Sequence, residues 1–490
     1  MLPLTHVSAQ WRRAALGDSS LWTTIHLKQT TAPLLDMILS RVGSQLLTVH
    51  VDCQDLGDCA NLWTLVGRIE ELHYYTGLEQ LVSFLSSLGP APNLRVLHLR
   101  PEMEPAVQKI PIIFSGCLPS LRSLVLSNTI AWPTGLFRGL ISFECGTTEQ
   151  YPISLGHALD ALRESPSIEF IRLVGFSRLP EGLDPPTIAL PSLRKCILVG
   201  DGTTSLIRFI AAPATAVITL KTSYTDDMDY FPTYGDNSVA PGLRILGALS
   251  AVSFAICDHT IRLHAKNDCG GVSLAKVENL DDLSEDPINF INFIRSSFEC
   301  WHTCPGLESA KDLTLRIHRN RKWGPREAKY GAHDLIRFIS SLPGIERANF
   351  HGVPQLELSY IFGVLSRTVD QPCPNLKQLE IESSPLHTPA SLLVLFSQLI
   401  AKRKGAGMPF QSVTVKIKCE RLIPSADHCA FLAAWERLVE GDVRLEYERI
   451  EVGDEERDEK EGIGGPGDCS VGWGGWPQEW PRTVEEMKGR

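Results

Sequence analysis

Apolar residues recur along much of the chain in the spacing L-x-x-L-x-L, with variable residues between them. The copies are identified by their first residues, which are Leu94, Leu121, Ile168, Leu193, Ile345 and Leu376. Side chains alternate between the two faces of a strand, so the second half of this pattern predicts a short strand with one buried face. Each copy follows a proline and one small or polar residue, which favours a turn before the strand.

The copies are spaced fairly regularly in the first half of the chain. Degenerate copies at 140–145 and 215–220 divide two wide gaps, and a further copy starts at Leu243. The steps between successive starts from Leu94 to Leu243 are then 27, 19, 28, 25, 22 and 28 residues. Leucine-rich repeats are about 20–29 residues long. The copy that starts at Leu307 loses the pattern and is the weakest of the set.

Amphipathic stretches between these strands predict helices. Their apolar residues recur every three or four positions within 78–88, 155–162, 335–342 and 392–400. A unit of helix, turn and strand cannot bury its own apolar face, so successive units must stack. The sequence therefore predicts an α/β fold over residues 31–445: an irregular leucine-rich-repeat-like solenoid in which short parallel strands alternate with helices.

A denser stretch, VSAQWRRAALGDSSLWTTIHL, runs from Val7 to Leu27. Apolar residues at helical spacing predict a helix that ends at Gly17, and the polar residues after it predict a turn. The alternation that ends at Leu27 then predicts a strand. Two tryptophans in so short a segment need apolar surface from elsewhere in the molecule.

This stretch resembles the C-terminal half of an F-box, in the style of the large fungal F-box families. The rest of the chain resembles the irregular leucine-rich repeats that follow the F-box in those proteins, so that the resemblance covers most of residues 1–420. Residues 1–30 are then a partial, all-α F-box remnant. Its matching positions are Val7, Ser8, Trp11, Arg12, Ala15, Leu16, Leu21, Trp22, Ile25 and Leu27.

The resemblance implies a role in ubiquitin-dependent protein degradation. It implies a substrate receptor that joins the Skp adaptor of a cullin-based ubiquitin ligase and holds a target protein on its repeats. An F-box opens with a Leu-Pro signature and two helices that make much of the adaptor contact, whereas only Leu2-Pro3-Leu4 precedes the third helix here. Either the reading frame continues upstream or adaptor binding has been lost, and for residues 1–490 we expect weak or absent adaptor binding. The alternative is a leucine-rich-repeat scaffold protein without ligase association.

The composition is that of a folded protein, and it limits the partners. Hydrophobic residues make up 43% of the chain and charged residues 21%, which is ordinary for a globular protein. The formal net charge of −10 at pH 7 argues against nucleic acid as a general partner. No apolar run is long enough for a bilayer, and no secretory signal is recognisable. The 13 scattered cysteines favour reduced thiols and an intracellular location, in the cytoplasm or nucleus.

No residue pattern predicts catalysis, a cofactor or a metal. Gly462, Gly464 and Gly467 satisfy G-x-G-x-x-G. No strand pattern precedes them, however, and Pro466 interrupts them, so a tail is favoured over a dinucleotide-binding loop. The stretch CWHTC at 300–304 lacks the second ligand pair of a zinc finger, which favours buried or incidental thiols. We therefore expect a non-enzymatic protein.

Residues 446–490 are predicted to form a separate tail. Nine acidic residues and three basic ones lie within 446–461, a composition that does not join a packed core. Trp473, Trp476 and Trp480 follow in a glycine-rich stretch. We expect a partly disordered tail whose tryptophans cap one end of the repeats or form a short partner-binding motif, and capping is the favoured interpretation.

The outward positions beside the last apolar residue of each copy predict the surface that holds a protein partner. Stacked parallel strands make these positions neighbours. The candidates are His98, Arg100, Val125, Arg172, Val174, Ile197, Asn349, His351, Glu380 and Glu382. Basic residues in the early rows, apolar ones in the middle and acidic ones in the late row favour one orientation of the partner. The alternative is that loops cover this face or that it is partly buried.

Overall fold

The computed structural model describes residues 8–27, 31–52, 60–75, 85–100, 108–147, 152–176, 186–200, 206–207, 209–222, 249–257, 260–267, 270–277, 307–317, 338–340, 342–353, 355–366, 373–383, 389–419 and 425–449. Outside them lie Val7, the predicted copy at Leu243, the CWHTC stretch, the glycine motif and the tryptophans of the tail.

The helices connect strands or, at the N-terminus, precede the first strand. The α-helices are α1 (Ala9–Gly17), α2 (Ala32–Val42), α3 (Ala60–Trp63), α4 (Leu155–Arg163), α5 (Gln355–Leu365), α6 (Pro389–Gly405) and α7 (Ser425–Glu436). Short 3-10 helices span Ser19–Trp22, Val66–Arg68, Phe114–Gly116 and Leu307–Ser309.

The strands are short, as the repeat pattern predicts. They are β1 (Thr24–His26), β2 (Leu47–Val51), β3 (Ile69–Tyr74), β4 (Val96–Leu99), β5 (Gln108–Lys109), β6 (Ser123–Ser127), β7 (Thr129–Ala131), β8 (Ser142–Gly146), β9 (Phe170–Val174), β10 (Ile188–Ala189), β11 (Lys195–Val199), β12 (Ile210–Ala211), β13 (Val217–Thr222), β14 (Ala251–Cys257), β15 (Thr260–Lys266), β16 (Gly271–Val277), β17 (Asp312–Ile317), β18 (Arg347–Val353), β19 (Gln378–Ser383), β20 (Ser412–Cys419) and β21 (Asp442–Arg449).

The chain divides into two compact units, and the first comprises Met1–Leu249, His259–Ser284 and Thr303–Gly306. Its main strands are hydrogen-bonded in the order β1-β2-β3-β4-β6-β8-β9-β11-β13-β16-β15. Every pairing in this order is parallel except the last, β16 with β15, which is antiparallel.

The second unit comprises Ser250–Asp258, Glu285–His302 and Leu307–Arg490. Its strands pair in the order β14-β17-β18-β19-β20-β21, and all of these pairings are parallel. The helices α5, α6 and α7 lie in the connections between its later strands. The prediction of an α/β fold with short parallel strands alternating with helices is therefore confirmed.

The inward positions of the repeat pattern form the core of each unit. In the first unit, Leu97, Leu124 and Phe143 pair across adjacent strands and are fully buried. In the second, Phe350 and Ile381 pair in the same way. Burying one such side chain contributes roughly 1.5–3 kcal/mol. The summed contribution of these rows to the stability of a sheet is therefore larger than that of any single strand.

The strands begin where the pattern places them. Each strand that follows a clear or looser copy starts two residues after the first apolar residue of that copy. The degenerate copies at 140–145 and 215–220 also contain strands, β8 and β13. The predicted copy at Leu307 is wrong in register, because the buried residues there are Ala310, Leu313 and Leu315, and β17 starts two residues after Ala310.

The connections combine helices with short parallel strand pairs. The stretch 155–162 is α4, whose apolar face is buried, and 392–400 lies within α6. Two short strand pairs, β5 with β7 and β10 with β12, also occur in connections of the first unit. No helix in the described part of the chain is long and apolar enough to cross a membrane.

The N-terminal segment is part of the first sheet. β1 pairs in parallel register with β2, and the ring of Trp22 is 3% exposed. Residues 22–27 thus repeat the apolar spacing of the later copies, with Ile25 and Leu27 buried. The sheet therefore extends across the predicted boundary near residue 30.

Candidate functional site

One outward position repeats on successive strands of the first sheet and forms a continuous line, the outer row. Strand register places these residues side by side across the sheet. Adjacent strands are about 4.8 Å apart, so the row is a nearly linear array of side chains. Its members from β1 to β13 are His26, His50, His73, His98, Val125, Glu144, Arg172, Ile197 and Thr219.

The outer row begins with four histidines on four neighbouring strands. The rings of His26 and His50 stack with centroids 4.5 Å apart, and those of His50 and His73 stack at 4.4 Å. The ring of His98 meets His73 edge-on at 4.4 Å, with an interplanar angle of 85°. Strand spacing and imidazole stacking distance coincide here, and this allows the rings to form a column.

A hydrogen-bond chain orders the buried end of this column. His73 Nε2 lies 3.5 Å from Glu71 Oε2, and His73 Nδ1 lies 2.9 Å from His98 Nδ1. If His73 donates from Nε2 to the carboxylate, then its Nδ1 accepts the hydrogen of His98 Nδ1. His98 Nε2 is then an acceptor, and it is buried without a hydrogen-bond partner.

Two rings of the histidine column, those of His50 and His98, are uncharged at neutral pH. Burial, reinforced by His73, Arg100 and His50, lowers the pKa of His98 to about 3. Burial, reinforced by His73 and His26, lowers the pKa of His50 to about 4. These two neutral imidazoles present polar edges and aromatic faces but no net charge.

Cationic side chains surround the next part of the outer row, and Arg100, Arg172 and Lys195 are together called the cationic cluster. The Arg172 guanidinium lies 3.6 Å from the Glu144 carboxylate, and the Arg172 side chain is 53% exposed. Burial lowers the pKa of Lys195, and the charge of Arg172 lowers it further. Glu144 offsets one of three positive charges, so this part of the face is electropositive.

The structure brings most of the first-unit candidates together. His98, Val125, Arg172 and Ile197 lie in the outer row, and Val174 lies one outward position further along the same face. Val125 is only 3% exposed, because its neighbours in the row are larger. Its side chain therefore forms part of the floor of this face, below the neighbouring side chains, and is barely accessible to solvent.

The candidates of the second unit form two adjacent rows. Asn349 pairs with Glu380, and His351 pairs with Glu382. His351 Nδ1 lies 3.1 Å from Glu382 Oε2, and Lys416 Nζ lies 3.2 Å from Glu380 Oε1. The acidic residues on this face are therefore compensated by cationic or polar neighbours.

The F-box-like positions form a small structural cluster at the N-terminus. Trp22 Nε1 donates to the backbone carbonyl of Ala15 at 2.7 Å, and the guanidinium of Arg41 lies 5.4 Å from the Trp22 ring centroid. Leu16 and Leu21 are partly buried, whereas Arg12 is exposed on α1. The side chain of Trp11 lies outside the described residues.

The described residues contain no group of three or more His, Cys, Asp or Glu side chains arranged to hold a metal ion. Cys145 and Cys196 occupy inward positions of the first sheet, and burial raises the pKa of both thiols, to about 12 for Cys196. Such thiols are poor nucleophiles. They act as small core residues.

The histidine column is the feature that the sequence pattern had not revealed. Its signal is present, because the histidines recur at intervals of 24, 23 and 25 residues, each just before a buried residue of its strand. The first three strands lack the proline-led signature, so the repeat pattern began too late to include them.

A scan against protein-family models finds no match to this chain, and a search of curated proteins finds none either.

Proposed function

We propose that this protein is a non-enzymatic protein-interaction module, the substrate receptor of a Skp–cullin–F-box ubiquitin ligase. Each unit is an irregular leucine-rich-repeat-like solenoid, and the target protein binds on the outward face of its sheet. The observation that carries the proposal is the outer row, which aligns side chains across nine parallel strands of the first unit. An ordered, extended face of this kind suits a protein partner better than a small molecule.

The ligase part of the proposal is supported by the N-terminal segment. A helix, a tight turn and a buried tryptophan follow one another in the order of the F-box pattern. Arg12 matches that pattern, and its side chain is exposed on α1. Because substitution of a surface residue changes folding little, a variant at Arg12 can test whether α1 contacts an adaptor.

The second candidate function is a repeat scaffold without ligase association. The pairing of β1 with β2 favours it, because the N-terminal segment then serves to complete the first sheet. The two functions share the outward face as the partner surface. They differ in whether the segment also contacts a ligase adaptor.

Affinity purification from the native cell distinguishes the two. The gene is tagged at its 3′ end, so that the natural start is kept, and the captured proteins are quantified for Skp adaptor and cullin peptides. Residues 1–490 alone should bind the adaptor weakly or not at all. From the natural locus, which keeps any coding sequence upstream of Met1, the receptor function predicts that both are enriched and that Arg12→Glu reduces them, while Arg163→Glu on α4 leaves them unchanged. Absence of both adaptor and cullin would favour the scaffold.

A further inference from the structure

We propose that the cationic cluster of the first unit binds an extended acidic segment of the partner protein, with two carboxylates four or five residues apart. This inference rests on the proposed function, because it names the chemistry of the partner held on the outward face. It concerns the part of that face from the end of β4 to the start of β11.

Charge is the first argument for an acidic partner. The cluster holds three cations against the Glu144 carboxylate, in a chain whose formal net charge is −10. Arg100 acts on the ring of His98, and Arg172 acts on the ammonium of Lys195. Arg172 and Lys195 therefore lie close enough to repel one another, and an added carboxylate relieves that repulsion.

Spacing is the second argument, and it sets the shape of the ligand. Arg100 follows β4 and Arg172 lies on β9, with β6 and β8 between them. Three strand steps and a short offset along the strands separate the two residues by roughly 15 Å. An extended chain advances about 3.3 Å per residue, so four or five residues connect carboxylates placed at the two guanidinium groups.

The floor between the two arginines suits a peptide more than a nucleic acid. Val125 and the neutral ring of His98 lie there, and Ser123 and Ser142 are small, buried neighbours on the same face. A narrow extended peptide can lie over this uncharged floor and reach the guanidinium groups at either end of it, whereas a nucleic acid would meet a chain that is acidic as a whole.

Fluorescence anisotropy with the purified full chain tests the proposal. The first probe is a labelled, threonine- and valine-rich peptide of about eight residues with two glutamates four positions apart. The second probe carries glutamine at both positions, and the third is a single-stranded oligonucleotide. We expect the glutamate probe to bind at least about tenfold more tightly than the glutamine probe, with the difference shrinking at high salt.

Charge variants then locate the binding. Arg100→Glu combined with Arg172→Glu should abolish the advantage of the glutamate probe, whereas Arg163→Glu, on the helix side of the sheet, should preserve it. Glu144→Gln should tighten binding of the glutamate probe severalfold, because it removes the carboxylate that competes for Arg172. Misfolding lowers affinity and cannot raise it. Tighter binding by Glu144→Gln would therefore show that the charge variants act on the binding site and not on folding.

Several results would overturn the proposal. Equal binding of the two peptides would exclude carboxylate recognition, and an unaffected double variant with an unchanged melting temperature would place the site elsewhere. Tighter binding of the oligonucleotide than of the glutamate peptide would assign the cluster to nucleic acid. The anisotropy titration contains no ligase component, so its result does not depend on whether the adaptor is captured in the cell. Capture of the adaptor, in turn, does not depend on whether the peptide binds.

Discussion

Trp22 holds the N-terminal segment of the first unit in place. Its ring is 3% exposed, its indole nitrogen donates to Ala15, and Arg41 lies over its face. The side chain therefore combines apolar burial, a hydrogen bond and a cation–π contact. The sequence predicted its burial from the pairing of two tryptophans in a short segment.

We expect Trp22→Ala to lower the free energy of unfolding by about 3–5 kcal/mol, the usual cost of truncating a buried aromatic side chain. Trp22→Phe is the control, since it keeps a smaller aromatic ring and removes the hydrogen bond, with a smaller expected cost of about 1–2 kcal/mol. Urea denaturation measures both. An unchanged midpoint for Trp22→Ala would show that the ring does not pack as described.

His98 makes the stability of the first unit sensitive to acid. Its pKa is about 3 in the folded chain, against an ordinary value of 6.5. Below pH 6.5 the unfolded chain binds a proton that the folded chain does not, so stability is lost as the pH falls towards 3. Glu71, His73, His50 and Arg100 are the charged or titratable groups near this ring.

We expect the unfolding free energy to fall by about 2 kcal/mol between pH 7 and pH 5 through His98 alone. His98→Asn removes this contribution, so the variant should lose correspondingly less stability over the same range. Urea denaturation at both pH values gives the comparison. Parallel losses in the two proteins would show that His98 titrates normally in the fold.

At the scale of the element, glycine positions show where backbone geometry overrides side-chain preference. Gly175 follows β9 with φ of +68°, and a Cβ there would collide with the backbone carbonyl of Thr147. Gly156 lies in α4 with ordinary helical surroundings and room for a Cβ. The same substitution should therefore have opposite effects at the two sites.

We expect Gly175→Ala to destabilise the protein by about 1–3 kcal/mol, because it adds both strain and a steric clash. Gly156→Ala should stabilise it by about 0.5–1 kcal/mol, because alanine is the better helix former. Melting temperatures of the two variants and the natural protein measure both effects. A stable Gly175→Ala protein would contradict the close approach of β9 to its neighbouring turn.

The repeat pattern predicted elements well where leucine or isoleucine fills its positions. It located β4, β6, β9 and β11, and its degenerate copies located β8 and β13, because inward burial demands apolar residues at a fixed spacing. It did not predict the short strands β5, β7, β10 and β12 in the connections. It missed β17 by a register shift because alanine begins that copy, and it gave no sign of β15, which pairs antiparallel. Pairing direction depends on contacts between distant segments, which local spacing does not encode.

At the scale of the whole molecule, the sequence predicted which residues lie on the outward face but not their burial, contacts or charge. The repeat pattern identified the outward positions of both sheets. It did not reveal that Val125 is buried, that Glu382 contacts His351, or that His50 and His98 are uncharged at neutral pH. Those properties depend on the side chains of neighbouring strands, which the register brings together.

The outward face of the first sheet is the proposed surface that holds the partner protein. The most direct measurement compares proteins captured in the native cell by the natural chain, by the Arg100→Glu and Arg172→Glu double variant, and by Arg163→Glu. We predict that the double variant alone loses a defined set of captured proteins while its melting temperature stays unchanged. The same set captured by a folded double variant would contradict the claim and place recognition outside this face.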